Sequence, residues 1–288
     1  MSERPLALAT CAALPQLSVD DSALARALER EGVHARPAVW DDAAEDWSAF
    51  SGVLIRSCWD YHLKPAAFEA WLSELERRKA RVFNPLPTLR WNLSKTYLKE
   101  CADAGVPVVP TAWLPPGPAD LESELRARGW GQAVLKPVVA AGGFGVRRLS
   151  PGATTEAQAA LSSEGARGAM LQPFLPEIQS EGEWSFIFID GAFTHAVLKT
   201  AKAGEFRIQE EYGGDARAQA PAAELVAQAR AALARVTRPW LYARVDAVRS
   251  SGALLISEIE LLEPSLYFAQ GPAAADRLAR ALARELHR

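Results

Sequence analysis

Cysteine is scarce in this sequence, and the three that occur, Cys11, Cys58 and Cys101, lie far apart. They form no Cys-x-x-Cys pair and have no histidine at metal-ligand spacing, so neither a disulfide framework nor a zinc site is indicated. No apolar run approaches the ~20 residues that a membrane-spanning helix requires, and the N-terminus lacks the charged-then-apolar pattern of a secretion signal. We therefore expect a cytoplasmic protein that makes no membrane contact.

An excess of basic charge is missing as well. The chain has 32 lysines and arginines against 35 aspartates and glutamates, and the arginines are scattered instead of forming one stripe. The charge pattern therefore gives no reason to expect nucleic-acid binding. The four histidines pair with no nucleophile at a recognisable spacing, so no Ser-His-Asp or Cys-His set is indicated.

A chain of 288 residues predicts two or three compact units. Between Pro5 and Phe83, short apolar strands alternate with amphipathic helices, which is typical of a parallel sheet. The segment Asn84-Pro85-Leu86-Pro87 stops regular structure and marks a boundary. We predict a small α/β domain at 1–88, a central subdomain at 89–170 and a C-terminal subdomain at 171–288.

The later segments predict antiparallel structure. Trp184 to Lys199 reads as a hairpin around Asp190-Gly191, and Leu241 to Leu261 reads as a second hairpin. A helix is expected from Leu89 to about Ala104, and a further strand is expected at 205–210. The predicted class is therefore α/β, with α+β character in the C-terminal part.

The stretch Val134 to Val146 combines a buried strand, Lys136 near its end and a loop with three glycines in four positions. Backbone N–H groups of such a loop can converge on an anion while Lys136 adds a point charge, and a nucleoside triphosphate is the best match. The P-loop and dinucleotide patterns both fail here. A plain hairpin turn, in which glycines relieve strain, stays equally open.

Three acids near the end of the chain form the second candidate cluster. Glu258 and Glu260 are two apart in a strand and share a face, and Asp246 can face them across the hairpin. Three carboxylates on one face repel one another unless a cation lies among them, and Mg²⁺ prefers such oxygen ligands. The alternative is a solvated strand face, although the neighbouring residues are strongly apolar.

Taken in order, these features resemble the ATP-grasp superfamily from about Asn92 to the C-terminus. They are Lys95, Lys136 with the glycine loop, the connector Gln172-Pro173-Phe174-Leu175, Arg-Val-Asp246 and Glu258-Ile-Glu260. A narrower resemblance is to prokaryotic glutathione synthetases and O-ureido-D-serine cyclo-ligases. It rests on Arg56-Ser57-x-Trp59-Asp60-Tyr61 and on Glu258-x-Glu260-Leu-x-Glu263-Pro264-Ser-Leu-Tyr267. The resemblance implies an ATP-grasp fold preceded by a small parallel-sheet domain.

The resemblance also implies a nucleotide site. Lys95 and Lys136 match the lysines that hold the ATP phosphates, and Glu177 or Glu183 would hold the ribose. The lid over the phosphates corresponds to Gly142, Gly143 and Gly145, and the hinge beside the adenine to Gln172, Phe174 and Leu175.

The acids match the Mg²⁺ ligands of the superfamily, with one departure. An asparagine usually stands where this chain has Glu260, and Glu263 could take the metal role instead. Arg244, Arg207 and Lys199 are candidates for neutralising charge on the transferred phosphoryl group. For the arginines, a surface or structural salt bridge is the alternative, and Lys199 could instead face solvent.

For the substrate, the candidates follow the third predicted strand of the parallel sheet, where ligands bind beyond the strand ends. They are Arg56, Ser57, Trp59, Asp60 and Tyr61. Trp59 and Tyr61 could instead pack between domains.

The implied activity is an ATP- and Mg²⁺-dependent carboxylate–amine ligase that acts through an acylphosphate on an amino-acid-like or peptide-like small molecule. An intramolecular cyclo-ligase is one form of it. The alternatives are a glutathione-synthetase-like peptide ligase, a kinase that stops at the phosphorylated substrate, a non-catalytic ATP-binding module and a plain structural protein. A homodimer is left open by the resemblance, because many relatives are dimers.

Overall fold

The computed structural model describes residues 4–164, 167–202, 204–208 and 212–287. The strands are β1 (Leu6–Thr10), β2 (Ala35–Val39), β3 (Gly52–Ser57), β4 (Val82–Phe83), β5 (Ala112–Leu114), β6 (Ala133–Pro137), β7 (Arg147–Leu149), β8 (Ala169–Pro173), β9 (Glu183–Ile189), β10 (Ala192–Thr200), β11 (Asp215–Ala218), β12 (Tyr242–Ser250) and β13 (Ala253–Glu260). The α-helices are α1 (Val19–Arg30), α2 (Pro65–Arg77), α3 (Leu86–Asn92), α4 (Tyr97–Asp103), α5 (Leu121–Arg128), α6 (Thr155–Glu164), α7 (Glu177–Ser180), α8 (Ala223–Leu233) and α9 (Pro272–Leu286). None of the helices in these described ranges is both long and apolar enough to cross a membrane.

Three sheets organise the chain. The N-terminal sheet has the order β2-β1-β3-β4, and all of its pairs are parallel, as predicted. The second sheet has the order β5-β8-β6-β7 and is called the lid sheet because the glycine loop joins its strands β6 and β7. The third sheet, called the large sheet, has the order β11-β10-β9-β12-β13. Both are antiparallel, so the predicted mixture of α/β and α+β structure is confirmed. The predicted boundaries at 88 and 170 stay a prediction.

The predicted hairpins form, because their turns contain residues that accept a left-handed backbone. Asp190 and Gly191 have φ of 51° and 72° between β9 and β10, while Ser251 and Gly252 have φ of 51° and 84° between β12 and β13. Two-residue turns with positive φ match the twist of the flanking strands. They bring Asp246 on β12 opposite Glu258 on β13.

Two expectations were wrong. The helix predicted from Leu89 to Ala104 is broken into α3 and α4, and Lys95 lies in the turn between them instead of on a helix. Residues 205–208 form no strand, and 209 and 210 lie outside the described residues. There Glu205 accepts hydrogen bonds from the backbone N–H of Phe206 and of Arg207, which holds a loop in place of a strand.

The N-terminal and large sheets share one hydrophobic core, in which Leu8 and Leu54 pack with Ile187, Tyr242 and Leu278. Two buried asparagines, Asn84 and Asn92, extend this connection through the backbone. Burial of apolar surface from both sheets stabilises their relative position.

Asn84 and Asn92 tie the segments after β4 and in α3 to the large sheet. The Asn84 amide donates to the carbonyls of Tyr242 and Leu261 at 2.9 and 2.8 Å. The Asn92 amide donates to the Ile259 carbonyl at 2.7 Å, and its oxygen accepts from the Leu261 N–H at 2.7 Å. Such fully used buried amides fix both backbone segments against each other.

Candidate active site

One cleft is lined by residues from all three sheets and their loops, and it encloses about 710 Å³. This volume is typical of a small-molecule site. The predicted site residues on its wall are Trp59, Tyr61, Lys95, Lys136, Gly142, Gly143, Gln172, Phe174, Leu175, Glu183, Lys199, Arg207, Arg244, Asp246, Glu258 and Glu260. Residues from distant parts of the chain therefore meet at one place.

Three carboxylates converge at the floor of this cleft. In the β12–β13 pairing, Asp246 lies opposite Glu258 and Arg244 lies opposite Glu260. One oxygen from each of Asp246, Glu258 and Glu260 lies within 4.8 Å of the others. A compact set of hard oxygen donors fits Mg²⁺.

Arg244 and Lys199 balance part of this negative charge. The Arg244 guanidinium donates to Asp246 at 3.0 Å and also to Glu260. The Lys199 amine lies 2.7 Å from Glu183 and 3.4 Å from Asp246. Burial disfavours the Lys199 ammonium, but Asp246 and Glu183 outweigh this effect and raise its pKa.

The acids differ in their ionisation because they share these cations unequally. Burial alone would raise the pKa of Asp246, yet Arg244 and Lys199 hold it at about 2. Burial raises the pKa of Glu260 well above its ordinary value, and the charges of Glu258 and Asp246 add to this effect although Arg244 opposes it. Adding a divalent cation would relieve this repulsion.

Lys95 reaches the cleft from the break between α3 and α4. Its backbone N–H donates to the Val138 carbonyl at 2.8 Å, which ties the turn to the loop after β6. Its amine lies 2.7 Å from Glu258 and donates to the Ala140 carbonyl at 2.8 Å. Lys95 therefore links the carboxylates to the glycine loop.

Lys136 on β6 differs from Lys95 and Lys199, which both pair with carboxylates. Within the part of the chain that the structure describes, its amine has no hydrogen bond or ion pair. Burial lowers its pKa, and Lys95 and Lys199 lower it further, while Glu183 and Glu258 oppose this shift. An ammonium group without a partner inside a cleft is suited to bind an anion.

The glycine loop adopts backbone angles that favour glycine. Gly142, Gly143 and Gly145 have φ of 59°, 74° and 70°, in the left-handed region that other residues rarely occupy. Between them, the Phe144 ring packs on the His62 ring with their centroids 4.8 Å apart. The loop therefore contacts the N-terminal domain across the cleft, although Gly145 itself does not line the cavity.

The far end of the cleft is apolar. Gln172 is buried and donates to the Thr111 hydroxyl at 3.0 Å. Arg148 lies over the Phe174 ring at 3.9 Å from the ring centre. Phe206 and Ile208 complete this end, and the sequence did not single them out because the segment reads as a strand. Flat apolar walls suit a nucleobase.

The two acids proposed for the ribose differ in position. Glu177 does not line the cavity, and its carboxylate accepts from the Ser250 hydroxyl at 2.7 Å. Glu183 lines the cavity but is bound to Lys199 and to the Ser257 hydroxyl, the latter at 2.6 Å. Arg207 also lines the cavity, paired with Glu205 at 2.7 Å and stacked on Tyr212.

The structure does not bring Arg56, Ser57 and Asp60 to the cavity wall, unlike Trp59 and Tyr61. The Arg56 side chain is 1% exposed and donates to Asp21 and to the Pro264 carbonyl, both at 2.8 Å. Ser57 donates to Asp21, and Asp60 accepts from the Trp40 indole at 2.7 Å. Internal partners hold these three side chains, although the buried Arg56 Nη1 has no hydrogen-bond partner among the described residues. Their predicted contact with the substrate stays a prediction.

This placement makes Arg56→Met a test of stability. Removing the guanidinium leaves Asp21 buried without its cation, so the free energy of unfolding should fall by about 3–5 kcal/mol. Denaturant unfolding would measure the loss. ATP affinity per folded molecule should stay unchanged, and a large loss of affinity in a fully folded variant would contradict the structural role.

Several cleft residues went unnoticed in the sequence. Ser18 and Asp20 at the start of α1 line the cavity, as do Asn92, Ser257 and Ser265. Small polar residues of this kind carry no distinctive spacing. Tyr267 also lines it, and for that residue the Glu263-to-Tyr267 motif did give a signal.

A glycine loop after a lysine-bearing strand, apolar side chains and a carboxylate floor around one cleft are the features of an ATP-grasp ligase, which forms carbon–nitrogen bonds with ATP. The family model of the prokaryotic glutathione synthetase ATP-grasp domain matches residues 121–244, and that of the D-cycloserine synthetase DcsG N-terminal domain matches residues 6–84. The chain belongs to the D-cycloserine synthetase DcsG family, because it is 32% identical over 298 residues to the cycloserine biosynthesis protein DcsG of Streptomyces lavendulae, covering 98% of both chains.

Other comparisons agree. The crystal structure of D-cycloserine synthetase DcsG matches with a TM-score of 0.88 at 30% identity, covering 98% of this chain and 99% of that one. Glutathione synthetase of Ralstonia nicotianae is 28% identical over 204 residues, which cover 68% of this chain and 58% of that protein. The predicted ATP-grasp fold, the ligase activity and the use of ATP are confirmed. The roles of individual site residues stay predictions.

Proposed function

We propose that the chain is a cyclo-ligase that closes a ring within an O-ureido-D-serine-like small molecule, using ATP and Mg²⁺. The observation that carries the proposal is the identity to a cycloserine biosynthesis protein along almost the whole of both chains. The match includes residues 6–84, whose loops contribute Trp59 and Tyr61 to the cleft. The similarity thus includes the N-terminal part of the chain as well as the ATP-grasp part.

In the proposed reaction, the substrate carboxylate first accepts the γ-phosphoryl group of ATP, giving an acylphosphate and ADP. Lys136 and Lys95 would hold the phosphates, and Asp246, Glu258 and Glu260 would hold Mg²⁺. The metal ion would neutralise charge on the phosphoryl oxygens. Arg244 and Lys199, both fixed by the carboxylates of the cleft floor, would hold the remaining negative charge as it moves.

In the second step, the nitrogen bonded to the serine oxygen attacks the acyl carbon. A carbon–nitrogen bond forms, the attacking nitrogen loses its proton to solvent, the carbon–oxygen bond to phosphate breaks, and inorganic phosphate leaves. Because nucleophile and electrophile belong to one molecule, holding the substrate folded over the cleft replaces an encounter of two molecules. The buried walls of the cleft would keep water from the acylphosphate.

The test is turnover of purified protein with ATP, MgCl₂ and O-ureido-D-serine, followed by ADP detection and mass spectrometry of the product. We expect ADP and a cyclic product with the D-substrate, and no ADP above background without it or without Mg²⁺. The L-enantiomer serves as the matched control.

Other outcomes select the alternatives. Turnover with γ-glutamylcysteine and glycine, but not with the ureido compound, would identify a peptide ligase, which the glutathione synthetase match favours for the ATP-grasp part. ATP binding with no turnover of either substrate set would identify a non-catalytic module.

We also propose a cytoplasmic location and a homodimer. All three cysteines are buried and free, which is typical of a reducing compartment. Sedimentation of the purified protein would test the oligomeric state, and a monomer over the micromolar range would contradict the dimer.

A further inference from the structure

Glu263 is a carboxylate of the cleft whose role the ATP-grasp pattern leaves open. It comes after the end of β13 and after Leu261 and Leu262, which are buried in two different hydrophobic clusters. The Glu263 residue is 8% exposed and lines the cavity. Trp59 donates its indole N–H to the Glu263 backbone carbonyl at 3.1 Å, and the Glu263 carboxyl lies close enough to the Tyr61 hydroxyl to raise the pKa of Tyr61, which burial raises most. Glu263 therefore lies at the substrate-side end, between two residues of the N-terminal domain.

Arg244, Lys199 and Lys95 pair with acids of the cleft other than Glu263. Arg244 binds Asp246 and Glu260, and Lys199 binds Glu183 and Asp246. The Lys95 amine is taken by Glu258 and the Ala140 carbonyl. None of the described residues forms an ion pair with Glu263.

Asp20 is the other cleft carboxylate without an ion pair among the described residues, but it accepts backbone N–H bonds from Leu266 and Phe268. These bonds satisfy its oxygens. The Glu263 carboxylate accepts no such pair of backbone bonds among the described residues, and its neighbours include the Tyr61 hydroxyl and its own backbone N–H. A buried carboxylate is stable in its charged form only when a cation or several donors meet it. Among the described residues, Glu263 forms no ion pair that would meet this need.

The metal site does not supply that partner. The three carboxylates whose oxygens converge within 4.8 Å are Asp246, Glu258 and Glu260, and Glu263 is not in this group. Burial, together with the charge of Glu258, raises the pKa of Glu263 to about 7 although Lys95 and Arg244 oppose this effect. The protein thus leaves Glu263 at a place where an incoming cation would be strongly favoured.

We infer that Glu263 binds the α-ammonium group of the substrate, an inference that rests on the proposed function and names the substrate as an amino acid with a free ammonium group. The ammonium would take the open side of the Glu263 carboxylate, while the substrate carboxylate faces Lys199, Arg244 and the metal site. Two fixed ends would then orient the chain between them for ring closure. Glu263 is in this account a specificity-determining residue and not a metal ligand.

The test compares Glu263→Gln with the wild type on two substrates. One is O-ureido-D-serine, and the other is 3-(ureidooxy)propanoate, which lacks only the ammonium group. For O-ureido-D-serine we expect the KM of the variant to rise about 10- to 100-fold, the loss of one charge-assisted contact, with kcat within about threefold of the wild type. For the desamino compound, variant and wild type should give the same kcat/KM.

Three further measurements sharpen the test. Glu263→Asp keeps the charge and should recover part of the lost affinity for O-ureido-D-serine. The Mg²⁺ concentration at half-maximal rate should be the same in wild type and Glu263→Gln, whereas a shift would make Glu263 a metal ligand and overturn the inference. The exposed Glu124, which pairs with Arg128 on α5, gives Glu124→Gln as a control for charge removal.

The experiments distinguish a failure of the inference about Glu263 from a failure of the proposed function. If the wild type forms no cyclic product, the proposed function fails. Calorimetry with a non-hydrolysable ATP analogue then still compares the binding of amino acid and desamino compound to wild type and Glu263→Gln. Equal affinity of Glu263→Gln and wild type for the amino-acid form, or equal losses for both compounds, would disprove the ammonium site.

Discussion

Asp246→Asn is expected to lower kcat by about 10²- to 10³-fold, the size of effect seen when one charge-stabilising group is removed from an active site. Asp246 is 2% exposed and binds Arg244, Lys199 and the Ser185 hydroxyl. An asparagine has nearly the same shape but no charge to offer a divalent ion. Single-turnover ADP formation in saturating ATP, with Mg²⁺ varied, would measure the effect.

A matched control for Asp246→Asn is Asp215→Asn on β11. The Asp215 side chain is 50% exposed and pairs with Arg217, which is also exposed. Exposed pairs of this kind contribute little to stability, so the control should keep the activity of the wild type. If Asp246→Asn folds and retains more than about a tenth of the wild-type rate, the proposed metal role of this carboxylate is wrong.

Lys136→Met is expected to weaken ATP binding by about 10- to 100-fold, as the loss of one charge-assisted contact to phosphate would do. The same change should keep or raise the melting temperature, because the described residues offer the Lys136 amine no partner and its burial disfavours the charged form. Calorimetric titration with ATP and thermal unfolding without ATP would measure the two effects separately.

The pH dependence of stability gives a second measurement on Lys136. Because burial lowers the pKa of the folded lysine below its ordinary value of 10.5, the unfolded chain binds the proton more tightly. The lysine's unfavourable contribution is therefore fully present below the folded pKa and disappears as pH rises through the unfolded pKa. As pH rises through this alkaline range, the free energy of unfolding of the wild type should increase relative to that of Lys136→Met.

Lys199→Met is the matched contrast, because this lysine is buried with two carboxylates. Its loss leaves Glu183 and Asp246 without that cation, so the melting temperature should fall. If both methionine variants lost the same stability, the distinction between a paired and an unpaired lysine would be wrong.

The sequence predicted those features that depend on local pattern and on the order of motifs. Asp190-Gly191 marks its hairpin because both positions need a left-handed backbone. Glu258 and Glu260 share a face because strand side chains alternate, and the observed register puts Asp246 opposite Glu258. The parallel N-terminal sheet followed in the same way from alternating strands and helices.

The errors arose where distant contacts override a local pattern. No proline or glycine stands near Lys95 to stop the helix, and the turn is instead held by the Val138 carbonyl from the lid sheet's loop. The sequence also did not reveal that Arg56, which stays a predicted substrate residue, is bound to Asp21, which lies 35 residues earlier in the chain. Neither partner could be identified from spacing.

Asn84 and Asn92, with their hydrogen bonds to the large sheet, limit how the specificity of this ligase can be changed. Each amide spans two segments that lie 157 or more residues apart. A chimaera that exchanged only the first 84 residues for those of another ligase would face a foreign backbone at these contacts and along the shared core. Substrate preference and the catalytic sheet therefore have to be transplanted together, and directed evolution of new ring-forming activities should begin from point changes in the cleft.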